Sequence, residues 1–185
     1  SGLAAVSSYS VTAYLESGVP TRGQQLERAD ALLVSGNGFD VLVARALIGR
    51  ALNPEDDLTP GGHPVVVLSN GFWSRRFGRD PQALGRTIRV NGVGYTIVGV
   101  LRPELRGVSV GYDTDLWIPL AMQAQLMREP SFLDDGNTMW LRLIGRLRSG
   151  VTVVQARARV NELFRQLVTQ EVGAGITPET GRSIR

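Results

Sequence analysis

TIRVNGVGYTIVGVL, residues 87–101, is the stretch whose reading decides the fold of this chain. Thr87–Val90 reads as one strand and Tyr95–Val100 as another. Asn91-Gly92 lies between them and supplies the positive φ angles that a tight hairpin turn needs. The second strand is rich in apolar, β-branched residues and is expected to be buried. Working back along the chain, Val65–Leu68 is a continuous apolar run and reads as a buried strand. Ser69 or Asn70 is placed to cap a helix over Gly71–Phe77, with Phe72, Trp73 and Phe77 on its apolar side. Pro60-Gly61-Gly62-His63-Pro64 breaks the chain before that strand, and Gly78-Arg79-Asp80-Pro81 ends the helix. Asn53-Pro54-Glu55-Asp56-Asp57 sets a cap, a proline and acidic residues where a short helical turn begins.

Further out, residues 4–15 read as a strand or hairpin, 16–23 as a turn and Leu26–Ser35 as a strand. A short helix is expected over Phe39–Val43 and a short strand over Asp115–Leu120. Residues 128–138 are loop-like. Trp140–Arg148 alternates, with Leu141, Leu143 and Leu147 to one side and Arg142, Ile144, Arg146 and Arg148 to the other. It reads as a half-buried strand. Val151–Gln170 is the one long helix, with Val153, Ala156, Val160, Leu163 and Leu167 on one face. Short strands, short helices and one hairpin make an α+β fold.

The composition narrows the chemistry. All 20 basic residues among the 185 are Arg, Cys is absent, and His63 is the single histidine. Without Lys there is no P-loop of the usual kind, no Schiff-base lysine and no Ser–Lys catalysis. Without Cys there is no thiol nucleophile and no thiolate metal site. One histidine cannot make a multi-histidine metal centre. No run of about 18 apolar residues is present. The expectation is a protein that is not an enzyme, with no cofactor and no metal.

Several residues bear on that expectation. Ser69, after a strand and before a helix, invites a nucleophile-elbow reading with His63 as base. The Gly-x-Ser-x-Gly flanks are incomplete and the chain order is wrong, so helix capping is the better account. Asp56, Asp57, Asp134 and Asp135 lack the alternating oxygen ligands of a calcium loop. Ser35-Gly36-Asn37-Gly38 lacks the spacing of a dinucleotide-binding turn. Residues 142–165 hold six arginines against Glu162. No aromatic alternates with them to stack bases, so a nucleic-acid partner is not expected. Arg142, Arg146 and Arg148 are the candidate partner surface.

The order LLVSGNGFDVL (32–42), PEDD (54–57), TPGGHPVVVLSNGFWSRRFGRDPQALGRTIRVNGVGYTIVGVL (59–101) and DLWIPL (115–120) resembles the periplasmic core domain of macrolide-exporter (MacB) type permeases of ABC transporters. The large acidobacterial permeases of that class are similar in style. MWLRLIGRLRSGVTVVQARARV (139–160) is similar to the strand and helix that follow in that family. The resemblance implies a two-lobed domain. A porter-like strand–helix–strand lobe would take 1–43 and 137–185, and a small mixed α/β lobe, 44–136, would be inserted in it. The chain would then lack the family's first strand–helix pair and its last strand, so that it is a fragment of a membrane protein.

The implied function is non-catalytic: an extracytoplasmic domain, on the periplasmic face of the inner membrane, coupling membrane-helix motion to efflux. Its implied partners are the permease's own transmembrane helices, a second permease copy, a periplasmic adaptor and a cytoplasmic ATPase. The alternatives from other classes are a stand-alone extracytoplasmic binding or scaffold module, and a serine hydrolase using Ser69 and His63.

Overall fold

The structure is a computed structural model that describes residues 2–16, 27–135 and 138–172. The chain divides into a unit spanning 2–146 and a second one comprising 147–185 with residue 1. The first contains β1 (Gly2–Ser7), β2 (Val11–Leu15), β3 (Glu27–Val34), α1 (Gly38–Leu42), β4 (Ala46–Gly49), β5 (Val65–Leu68), α2 (Asn70–Phe77), β6 (Thr87–Val90), β7 (Val93–Leu101), β8 (Leu116–Pro119), α3 (Gln123–Met127) and β9 (Leu141–Arg146). The mixture of strands and short helices is the expected α+β class.

The hairpin expected around Asn91-Gly92 is β6–β7, in register from Thr87↔Thr96 to Val90↔Val93. Asn91 and Gly92 both have positive φ, as a tight turn between right-twisting strands requires. From this hairpin the pairing runs β2-β6-β7-β5-β8-β3, and β3 returns to β2. Six strands therefore close on themselves. β3–β8 and β5–β7 are parallel and the other pairs antiparallel. β1 and then β9 extend the sheet from β3, and β4 pairs with β7.

Alternation along the strands feeds two cores. All six strands of the ring contribute to the first, among them Leu15, Leu33, Val66, Ile88, Ile97 and Ile118; Phe72 and Trp73 of α2 and Leu126 of α3 close over it. The second takes the opposite face: Val6, Leu32, Val34, Val67, Leu101 and Trp117, with Phe39 of α1. Phe39 and Trp117 pack as a tilted ring pair 5.4 Å apart.

Three expectations change. Residues 4–15 do not make a hairpin. β1 and β2 follow one another along β3, pairing through Val6↔Val34 and Val11↔Ala31. β4 and α3 are additional; at four and five residues they are too short to show a period. The alternation of β9 is real, but its leucines are not the buried side. Leu143 is 63% exposed and Leu141 is exposed too, while Ile144 packs on the second core. Alternation tells which residues share a face; the register with β1, Ala4↔Ile144 and Ala5↔Leu143, decides which face is covered.

In the second unit, α4 (Val153–Val172) is the expected long helix. Val153, Val160 and Leu163 of its apolar row are exposed. Thr152 caps its first turn, its hydroxyl accepting from the Gln155 amide. The turn expected at 16–23, beyond Glu16 itself, and the side chain of Leu167 lie outside what is described, as does Thr177–Gly181, which the family resemblance would make the approach to a closing strand. No helix among the described residues is long and apolar enough to cross a membrane.

Candidate functional site

Ser69 lies between β5 and α2, at the N-cap of the helix. Its backbone is extended, and its side-chain oxygen accepts from the Phe72 amide at 3.1 Å. That bond satisfies one of the free amides of the first helical turn, and Ser69 is buried. His63 precedes the other end of β5. A four-residue strand at about 3.3 Å per residue keeps the two ends ~13 Å apart. Ser69 and His63 are therefore not brought together.

The acidic pair Asp56–Asp57 is committed to structure. Asn53 and Asp56 form a capping box, each side chain accepting from the other's amide at 3.1 and 2.9 Å. Arg50 grips Asp56 with both terminal nitrogens, at 2.5 and 2.8 Å. Burial favours the neutral Asp56 acid. The Arg50 hydrogen bonds, the Asn53 amide and the Arg50 charge outweigh it and hold the carboxyl below its ordinary range. Asp57 accepts from the Gly36 amide at 3.0 Å and the Ala121 amide at 2.7 Å. Burial nonetheless pushes it up.

The glycine-rich turn at 35–38 thus faces an internal carboxylate. Gly36 is required there, because a Cβ would lie 2.4 Å from the Asn53 carbonyl oxygen. Among the described residues no group of three or more His, Cys, Asp or Glu is placed to hold a metal ion.

The arginine row is only partly free. Arg142 donates to the Ser109 hydroxyl at 2.9 Å, and Arg146 donates to the Val41 carbonyl at 2.9 Å. Both lie on the face of β9 that carries Ile144. Arg148 belongs to the second unit. On the opposite face, Leu3 of β1 and Leu141 and Leu143 of β9 form an exposed apolar strip.

Asn91 has a role that its Asn-Gly context did not reveal. Its side-chain oxygen accepts from the Tyr14 amide at 2.9 Å, and its side-chain nitrogen donates to the Leu126 carbonyl at 2.7 Å. Glu16 and Asn91 amides add bonds to the Arg89 and Tyr14 carbonyls. The hairpin turn is thereby the seam where the ring closes. Both side-chain partners are far away in sequence, so no local pattern marks them.

Among the described residues no catalytic constellation stands out; surfaces and a continuous sheet do. The MacB-like periplasmic core domain family matches residues 2–163. The chain belongs to this family. Solved MacB-type domains share its fold. The periplasmic region of MacB from Actinobacillus actinomycetemcomitans superposes with a TM-score of 0.63 at 18% identity, covering 88% of this chain and 66% of that one. The extracellular domain of the noncanonic ABC-type transporter YknZ from Gram-positive bacteria gives 0.59 at 15% identity, over 90% of this chain and 74% of that one. This MacB-like chain thus spans 66% of the length of the MacB periplasmic region. No curated protein sequence matches it.

Proposed function

We propose that the chain serves, within a MacB-like ABC-type permease, as a non-catalytic extracytoplasmic domain that couples membrane-helix motion to export of substrate or to partner contact. The family match over 2–163 carries this reading. The separation of Ser69 from His63 and the use of Ser69 as a helix cap favour it over a hydrolase. A closed ring of strands with cores on both faces suits mechanical work, because close-packed interiors transmit displacement rather than absorb it.

On this proposal the partners are the permease's own transmembrane helices, a second permease copy, a periplasmic adaptor and, through the membrane part, a cytoplasmic ATPase. Residues 1–43 and 137–185 form the porter-like lobe, into which 44–136 is inserted. The pairing of β9 with β1 supports the discontinuous lobe, since it joins 141–146 to 2–7. The parallel β3–β8 pairing makes the junction a shared sheet rather than a free hinge. Arg142 and Arg146 are proposed as a partner surface of the first unit, and Arg148 as a contact residue of the second.

The absence of Cys from this chain gives a clean test of placement. Val110 is fully exposed. In the parent permease freed of other cysteines, Val110→Cys is expected to react with a membrane-impermeant maleimide on intact cells whose outer envelope has been opened. Reaction only after the inner membrane is permeabilised overturns the placement.

A further inference from the structure

A groove of about 670 Å³ opens within the first unit, between the β1–β2 bend, β3 and the loop at 105–114. Its volume lies in the range of small-molecule sites. Its lining combines hydroxyls, tyrosines and charged side chains. Ser8, Ser10 and Thr12 line the bend side, Arg28 and Asp30 the β3 floor, and Tyr9 and Tyr112 reach it from opposite walls. Both tyrosines are exposed.

The far wall is held in shape by its own bonds. Ser109 and Tyr112 pair as an isolated bridge, the Thr114 amide donates to the Arg106 carbonyl at 2.7 Å, and Arg106 pairs with Asp113 at 2.5 Å. Gly107 and Gly111 permit the tight path: a Cβ on Gly107 would meet the Tyr112 carbonyl at 2.3 Å, and Gly111 has φ +83°.

Both aspartates of the lining are already paired. Arg106 takes Asp113, and Arg28 stands 3.7 Å from Asp30. Arg142 also lines the groove, oriented by the Ser109 hydroxyl, and has no carboxylate partner among the described residues. A guanidinium held by one neutral hydroxyl keeps further N–H donors for an incoming carboxylate.

We propose that this groove binds an anionic saccharide. Its carboxylate pairs with Arg142, its ring lies against the tyrosine faces, and its hydroxyls exchange hydrogen bonds with Ser8, Ser10, Thr12 and Asp30. The C–H faces of a sugar ring are apolar and suit aromatic side chains whose hydroxyl ends stay wet. Serine and threonine hydroxyls both donate and accept, as sugar hydroxyls do. A nucleic-acid strand is disfavoured, because Arg142 alone of the lining arginines has no carboxylate partner among the described residues, and one such cation holds one anionic group rather than a run of phosphates. This assignment is independent of the transport reading.

The test is an NMR titration of the full 185-residue chain with digalacturonate as the anionic probe and cellobiose as the neutral one. Digalacturonate is expected to saturate in the millimolar range or below, with shifts confined to the groove. Cellobiose is expected to bind about tenfold more weakly or worse, in line with the loss of one charge-assisted pair. Arg142→Ala should weaken digalacturonate about tenfold and abolish the preference over cellobiose. Tyr112→Ala should weaken both sugars.

Ser109→Ala serves as the second variant: it keeps the charge, frees its orientation and should lower affinity less than Arg142→Ala. Both side chains at Arg142 and Tyr112 are exposed, so a thermal melt of each variant reports that the fold is intact. Absence of groove shifts with digalacturonate overturns the proposal. Unchanged binding by a folded Arg142→Ala variant does the same, as does equal affinity for the two probes.

Discussion

Asp56 remains a carboxylate in a buried position because Arg50 and the Asn53 amide meet it there. Its folded pKa is lowered, so it adds stability above the ordinary Asp value of about 3.9 and loses it as pH falls through the lower folded value. Asp57 has the opposite sign. Its folded pKa is raised by burial, so its contribution is complete below the ordinary value and is lost as pH rises through the raised one. Asp56→Asn should cost about 1–2 kcal/mol near neutral pH, at the lower end for a buried ion pair because Arg50 is half exposed. Urea melts at neutral and acid pH should also show a shallower acid decline in the variant than in the parent. An undiminished decline contradicts the pairing. Ser69→Ala should cost about 1 kcal/mol by loss of the cap, and Ser69 should not react with a fluorophosphonate probe. Stoichiometric labelling would restore the hydrolase reading. Both caps were legible, since Asn53 and Ser69 bond to amides three residues on. The task of Asp57 was not, because the amides it accepts from belong to Gly36 and Ala121, 21 and 64 positions away.

At the scale of elements, the ring is closed where β2 meets β6, and only Leu15↔Val90 pairs there as strand. Asn91 reinforces that short contact with a side-chain hydrogen bond from the Tyr14 amide and ties the turn to α3 with a second one to the Leu126 carbonyl, while holding φ +50°. Two substitutions separate these roles. Asn91→Gly keeps the turn and loses the bonds, at about 1–2 kcal/mol. Asn91→Ala loses the bonds and also strains the left-handed backbone, costing roughly 1 kcal/mol more. Thermal melts of the two variants check the order; an Asn91→Gly variant as stable as the parent contradicts the seam. The strands that carry long apolar runs, β5 and β7, and the hairpin with its Asn-Gly turn were readable one segment at a time. The order of strands was not. β3 and β8 lie side by side yet start some ninety residues apart, and nothing local specifies that Ala31 meets Leu116. The covered side of β9 was not legible for the same reason: Ile144 sits between two arginines and yet is the side that packs, and only the register with β1 decides this.

For the whole molecule, the resemblance on 32–120 and 139–160 led to the family that matches residues 2–163. The missing Lys and Cys removed several chemistries but pointed to no partner. The arginine row was visible as composition. What it does depended on packing: Ser109 and the Val41 carbonyl hold Arg142 and Arg146, and a groove that no sequence motif announced opens beside Arg142. On the transport reading, the ring of strands moves as one body between membrane helices and cargo or partner. The most direct test replaces residues 2–172 with a flexible Gly/Ser linker in the parent permease, reconstituted with its ATPase in vesicles. ATP hydrolysis and substrate export are then followed in the same preparation. Continued hydrolysis with export lost is the predicted result; export at the unaltered rate would contradict the coupling role.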